Sequence, residues 1–193
     1  PVYLALYSIP QQITGKLTVL SKSFSAFLLP FLSRKNYKNK DFNSSLIIFL
    51  KIFPIFIFIL FPLYPVFLKF WLGNQYNQEI LILTKIFSIS ITYACASHIL
   101  ITKFEASQTL KQNLKFETLL LPFFLITIFF VISNSFSLIT IALVIYFKEF
   151  ILLCLRINFL KKEILNAKVY YYYLLIFNLI LFLFIHDSSL SKF

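Results

Sequence analysis

Polar residues interrupt this chain only in short knots, and the apolar runs between the knots are as long as a bilayer is thick. The runs cover approximately 3–32, 44–68, 80–102, 117–134, 138–158 and 169–186. Each is near the roughly 20 residues a helix needs to cross about 30 Å of hydrocarbon. A transmembrane barrel would instead alternate apolar and polar residues in segments of about ten. The reading is all-α: a polytopic transmembrane helix bundle of about six spans. Composition agrees, because 60% of the 193 residues are hydrophobic and 26 are Phe. A soluble domain averages about 45–50% apolar, and a core of this size cannot bury the excess.

The knots predict orientation. RKNYKNK holds Arg34, Lys35, Lys38 and Lys40; KFEASQTLKQNLK holds Lys103, Lys111 and Lys115; Arg156, Lys161, Lys162 and Lys168 cluster around the end of the fifth run. These basic residues fall at alternate span ends, whereas the opposite ends hold only Lys69 and Lys192, and SNSFS holds none. By the positive-inside rule, basic loops 34–40, 103–115 and 156–168 are cytoplasmic. The net charge of +11 is thus read as topology, and nucleic acid is not expected as a partner. Pro1 heads a chain without a Met, and no leader pattern explains this, so a longer protein with further helices upstream is expected.

Prolines 54, 62 and 65 remove backbone donors from the second run, which predicts a bend there. WLGNQY reads as an interfacial turn, with Trp71 at headgroup level and Gly73 and Asn74 reversing the chain. Cys95 and Cys154 lie singly in apolar runs without a CxxC or a His/Cys cluster, so they read as packing residues. Nothing calls for a metal or a cofactor. The seven acids stand singly at 41, 79, 105, 117, 149, 163 and 187, which argues against an enzyme such as a glycosyltransferase that needs clustered carboxylates.

The first run poses the sharpest question, because it holds Lys16 and Lys22 far from its ends. A lysine at the bilayer centre costs roughly 2.5–3.5 kcal/mol on insertion scales. At about 100° per residue, Gln11, Gln12, Gly15, Lys16, Lys22 and Ser23 share one side of a helix, with Thr18 and Ser25 beside them. Leu20, Ile13, Phe24, Leu17 and Leu28 take the other side. The polar side can line a wet cavity or pack on a neighbour with Lys22 snorkelling. Gln11, Gln12, Lys16, Lys22 and Ser23 are therefore candidate substrate-binding residues. Lys148 and Glu149 lie mid-span in the fifth run; as neighbours about 100° apart they are expected to pair poorly with each other. Each is a candidate for substrate or coupling-proton binding, or for an interhelical salt bridge. Lys51, Lys69 and Lys85, near span ends, read as snorkelling residues, and His98 as a packing or interfacial one.

With these features in hand, the chain resembles the C-terminal half of Wzx-type polysaccharide and O-antigen repeat-unit flippases, of the multidrug/oligosaccharidyl-lipid/polysaccharide exporter superfamily. YSIPQQITGKLTVLSKSFSAFLLPFLSR is similar to that family's eighth helix, with Pro30, Leu32, Ser33 and Arg34 matching its ending and Lys16 a basic position in its middle. FWLGNQY resembles the outer turn after the next helix. Glu117, following KQNLKF, matches a cytoplasmic glutamate, and Lys148 stands where relatives often have arginine. TKFEA replaces the usual Q-x-x-G-R, and SLITIALVIYF the usual Gly/Ala-rich stretch. The resemblance spans residues 3–160.

It implies residues 1–168 as the C-terminal bundle of a two-bundle transporter of twelve or more helices, and 169–193 as an additional helix and tail. It also implies residence in the bacterial inner membrane and a substrate of oligosaccharide on undecaprenyl pyrophosphate. The partners implied are this lipid-linked oligosaccharide, membrane lipids, N-terminal helices of the same protein and a polysaccharide polymerase. A drug or toxin exporter of the same fold, and an inactive truncated flippase remnant, stay open as alternatives.

The orientation has a direct check. Cysteines introduced as Asn36→Cys and Gln112→Cys should be shielded from an impermeant thiol reagent outside intact cells, and Asn74→Cys should react. Labelling at position 36 without lysis refutes the orientation.

Overall fold

In hydrocarbon the backbone finds hydrogen-bond partners only within the chain, and a helix supplies them locally. The computed structural model describes residues 2–33, 39–134 and 137–161. They form five helices: α1 (Val2–Leu32), α2 (Asn39–Leu72), α3 (Gln78–Ala106), α4 (Leu110–Ser133) and α5 (Leu138–Leu160). No strand occurs among the described residues. Four of the helices, α2 to α5, are long and apolar enough to cross a membrane. The expectation of six spans is met only in part. α1 has the length, at 31 residues, but is not among the four, because Gln11, Gln12, Lys16, Lys22 and a series of Ser and Thr dilute its apolar content. The sixth stretch, 169–186, lies outside the described residues.

Local chemistry sets the element ends. Gly73 adopts φ +53° at the start of a 3-10 turn, Gly73–Gln75, a conformation that costs glycine little. Asn77 then caps α3, its Oδ1 accepting the Glu79 backbone N–H at 3.1 Å, and Glu79 places a negative charge at the positive end of the helix dipole. Gln108 takes a left-handed φ of 57° to reverse the chain between α3 and α4. α2 continues as helix through Pro54, Pro62 and Pro65.

Contacts between helices fix their directions. Tyr7 meets Phe87 edge-on at 5.2 Å and the Cys95 thiol lies 4.0 Å from the Leu17 carbonyl, so α1 and α3 run parallel. Tyr93 packs on Tyr146 and Phe150, and Phe104 on Phe159, so α5 is parallel to α3 as well. Tyr64 pairs with Ser88 while Phe42 lies under Lys103, so α2 is antiparallel. Phe116 meets both Phe104 and Phe159, which brings the start of α4 to the ends of α3 and α5. The ends of α1, α3 and α5 and the starts of α2 and α4 therefore share one end of the bundle. Lys103, Lys111, Lys115, Arg156 and Lys161 all belong to that end.

The basic positions are not loops, however. Lys103 lies within α3, buried, 5.7 Å from the Phe42 ring centre. Lys111 and Lys115 are on the first two turns of α4, and Arg156 is four residues inside the end of α5. Residues 34–38 and 162–168 of the expected loops lie outside the described residues.

α3 is the centre of the bundle and touches the other four helices. Of its most apolar stretch 78% is buried, against 24, 6 and 22% for α2, α4 and α5. Yet α3 is rich in hydroxyls: Thr84, Ser88, Ser90, Thr92, Ser97 and Thr102 are all buried. Four of them satisfy themselves on their own helix. Thr84 donates to the Ile80 carbonyl at 2.7 Å, Ser88 to Thr84 at 2.7 Å, Thr92 to Ser88 at 3.0 Å and Thr102 to His98 at 3.0 Å. A helix surrounded by helices need not be apolar, whereas small side chains let neighbouring backbones come close. α1 answers with Thr14 and Ser21, both fully buried. The other helices carry the lipid-facing surface, with Ile52, Ile59, Val66 and Phe70 exposed on α2 and Phe123, Ile126 and Phe129 on α4.

One side-chain hydrogen bond ties α2 to this centre: the Tyr64 and Ser88 hydroxyls stand 2.7 Å apart. A double-mutant cycle of Tyr64→Phe and Ser88→Ala, read by reversible unfolding in detergent or bicelles, should give a coupling of about 0.6 kcal/mol and no more than ~1.7. A coupling of zero refutes this role for the pair.

Candidate functional site

On α1 the exposed and buried residues separate by angle. Pro10, Thr14, Ser21, Leu28 and Leu32 are buried, a seam of i, i+4 and i+7 spacing along which the helix packs on α3. Gln11, Gln12, Lys16, Lys22 and Ser23 are all exposed, so the five candidates from sequence lie together on the open side. Two details differ from the sequence reading. The exposed arc also carries Val19, Leu20 and Phe27, so it is polar with apolar interruptions. Ser25 faces inward, with a buried hydroxyl that has no hydrogen-bond partner among the described residues. Thr18 returns its proton to the Gly15 carbonyl at 2.7 Å.

A second polar constellation, which the sequence reading did not assemble, joins α4 to α5. Arg156 is 2% exposed. Its Nε donates to Asn113 Oδ1 at 2.8 Å and its Nη2 to Glu117 Oε1 at 2.6 Å. Asn113 Nδ2 in turn donates to Glu117 Oε1 at 3.3 Å. Asn113 and Glu117 are four residues apart and so share one face of α4. The fork of the guanidinium takes both at once, a geometry a lysine could not reproduce. This arrangement neutralises a charge that would otherwise be buried alone, at a cost of several kcal/mol. The signal was present in sequence: Arg156 interrupts LLCLRINFL, and its counterion had to come from another helix.

His98 lies half-buried on α3, the helix that touches both α1 and α5. Lys16, six residues before Lys22, is about 9 Å away along the axis. It has no hydrogen-bonding or ionic partner among the described residues. Both lysines stand exposed on the open side of α1.

Lys148 and Glu149 require a correction. They do pair, with Nζ 3.4 Å from Oε1. Their Cβ atoms point about 100° apart, but the four-carbon stem of the lysine bends back far enough to close the gap. Lys148 also rests on the Phe124 ring of α4, 4.9 Å from its centre, a cation–π contact strengthened away from water. The pair is thereby a half-buried connection between α5 and α4. Lys69 stands over the Tyr76 ring at 5.5 Å and Lys51 is exposed. Among the described residues no three His, Cys, Asp or Glu side chains gather as a metal site would require.

Chemically, the two constellations differ. The donors of Arg156 are engaged by protein acceptors, so it positions helices. Lys16, Lys22 and the glutamines present free donors outward, and can meet an anion or a polyol.

The Arg156 network predicts an asymmetry. Glu117→Gln leaves a guanidinium of 3% side-chain exposure with no counterion, whereas Arg156→Gln leaves a carboxylate of 45% exposure that water can reach. Glu117→Gln should cost about 3 kcal/mol, the low end of the range for breaking buried pairs because the acid is partly open. Arg156→Gln should cost less, and the double variant should recover part of the loss. Equal costs in reversible unfolding would show that the arginine is not truly buried.

No protein-family model, no curated protein and no solved structure matches this chain.

Proposed function

We propose that this chain is part of a membrane transporter that flips undecaprenyl-pyrophosphate-linked oligosaccharide repeat units across the bacterial inner membrane for surface polysaccharide synthesis. One observation carries the reading. Gln11, Gln12, Lys16, Lys22 and Ser23 stand exposed on one side of a helix whose other side packs against a membrane-length helix. Exposed ammonium groups at membrane depth are tolerable where they look into water. In that position they attract an anion such as pyrophosphate, and glutamine and serine hydrogen-bond sugar hydroxyls. In this proposal the open side of α1 faces a central cavity completed by a second helix bundle. The two bundles rock to expose the cavity to one side and then the other. The basic end of the bundle is cytoplasmic, and a polysaccharide polymerase receives the product.

An exporter of cationic drugs on the same architecture is the second reading. It is favoured less because such a cavity calls for acidic residues, and residues 7–33 contain none. An inactive remnant is the third, and the test below separates it, since the parent protein would then fail.

The test is complementation of a flippase-null strain by the full-length protein, with surface polymer normalised to protein in the membrane. Lys16→Gln should lose most transport while inserting normally, because removing a charge from a helix at membrane depth lowers insertion cost. Lys16→Arg should retain part of it, keeping the charge but changing the hydrogen-bond geometry. Lys51→Gln should be nearly silent. Polymer restored by Lys16→Gln to the parent level overturns the role of this lysine.

A further inference from the structure

A cleft of about 550 Å³ opens between α1 and α2, lined by Ile13 and Leu17 on one wall and by Leu60, Leu63, Tyr64, Val66, Phe67 and Phe70 on the other. The lining is apolar throughout. Tyr64 fits this pattern because its hydroxyl is turned away to Ser88 on α3, which leaves its ring as part of the wall. Farther along the two helices, toward the start of α2, Phe24 of α1 stacks on Phe49 of α2 at 5.8 Å. The cleft opens toward the end of α2, where Phe70 is 90% exposed.

We propose that this cleft is a binding site for one acyl chain of an anionic phospholipid, with the headgroup held at Lys69. Length is the first argument. From Leu60 to Phe70 the α2 wall rises ten residues, about 15 Å, which is half of the roughly 30 Å hydrocarbon thickness. A cleft of that length matches the depth of a single leaflet. Charge complementarity is the second. Lys69, beside the lining residue Phe70 in the last turn of α2, is exposed with its ammonium over the Tyr76 ring at 5.5 Å, at the level where a lipid phosphate would lie. The third is the amphipathic rim: Trp71, half exposed, lies against the cleft residue Phe67 with ring centres 5.9 Å apart, as tryptophans do at headgroup level. The volume falls within the range of small-molecule pockets. This site is separate from the polar arc of α1 and does not depend on the flippase reading.

Trp71 is the sole tryptophan of the sequence, so the site carries its own reporter. The full-length protein, with any tryptophan outside these 193 residues replaced by Phe, is reconstituted in vesicles of zwitterionic phospholipid containing brominated-chain phosphatidylglycerol or, separately, brominated-chain phosphatidylcholine, and Trp71 fluorescence is followed against mole fraction. The expected result is about a fivefold preference for the anionic lipid, the effect of one lysine at a membrane surface. Lys69→Gln should abolish the preference while brominated chains still quench. Narrowing the cleft from both walls with Leu17→Phe and Leu63→Phe should weaken quenching by both lipids, with circular dichroism confirming the helices. Equal quenching by the two lipids in the parent, or a preference that survives Lys69→Gln, overturns the proposal. So does a Trp71 shielded from both lipids, since another protein segment or a second copy would then occupy the cleft.

Discussion

The hydroxyl-to-carbonyl bonds along α3 are what the bundle rests on. Lipid gives helices no hydrophobic reason to associate, because a neighbouring helix is no more apolar than an acyl chain. Close backbone approach and polar contacts must do it. Serine and threonine are small enough for the first, and burying them costs least when their protons have somewhere to go. Thr84, Ser88, Thr92 and Thr102 solve this by bonding one turn back on their own helix. These four hydroxyls are then satisfied before any neighbour arrives, whereas those of Ser90 and Ser97 are buried without a hydrogen-bond partner among the described residues.

The charged residues show two opposite solutions to one problem. Arg156 is taken inside and given two acceptors from the adjacent helix, so its charge is spent on structure. Lys16 and Lys22 are left outside, on a helix less apolar than the four that meet the requirements for a span. A charge left facing outward in this way is a feature that a packed bundle does not need for its own stability. It is the reason the proposed transport role is placed on α1 and not on the better-formed network of α4 and α5.

The helices themselves were legible because each apolar run is long, and the turn at Gly73 because a left-handed residue before a capped helix has few alternatives. The polar side of α1 was legible because helical angle depends on spacing alone. The centrality of α3 was not. Burial of Thr84 or Ser97 depends on what surrounds them, and by apolarity α2 would have seemed the more natural core. Arg156 was misassigned for a similar reason: a basic residue near a span end follows the topology rule equally well in a loop or inside the helix. The Lys148–Glu149 pair escaped because Cβ direction is a poor guide for side chains with several rotatable bonds.

The placement of the Arg156 network also has a mechanical meaning. Asn113 and Glu117 lie near the start of α4, while only 6% of its most apolar stretch is buried. Pro122 interrupts the backbone hydrogen bonding just beyond the network. α4 is thus pinned at one end and mostly exposed along the rest of its length, with the touch of Lys148 on Phe124 and the buried Val131 near its far end as the exceptions. A rearrangement that freed Val131 while preserving the Arg156 contacts would move this helix as a lever about that pin. The displacement would be greatest at the far end of the lever, near Ser133, and smallest among the charges.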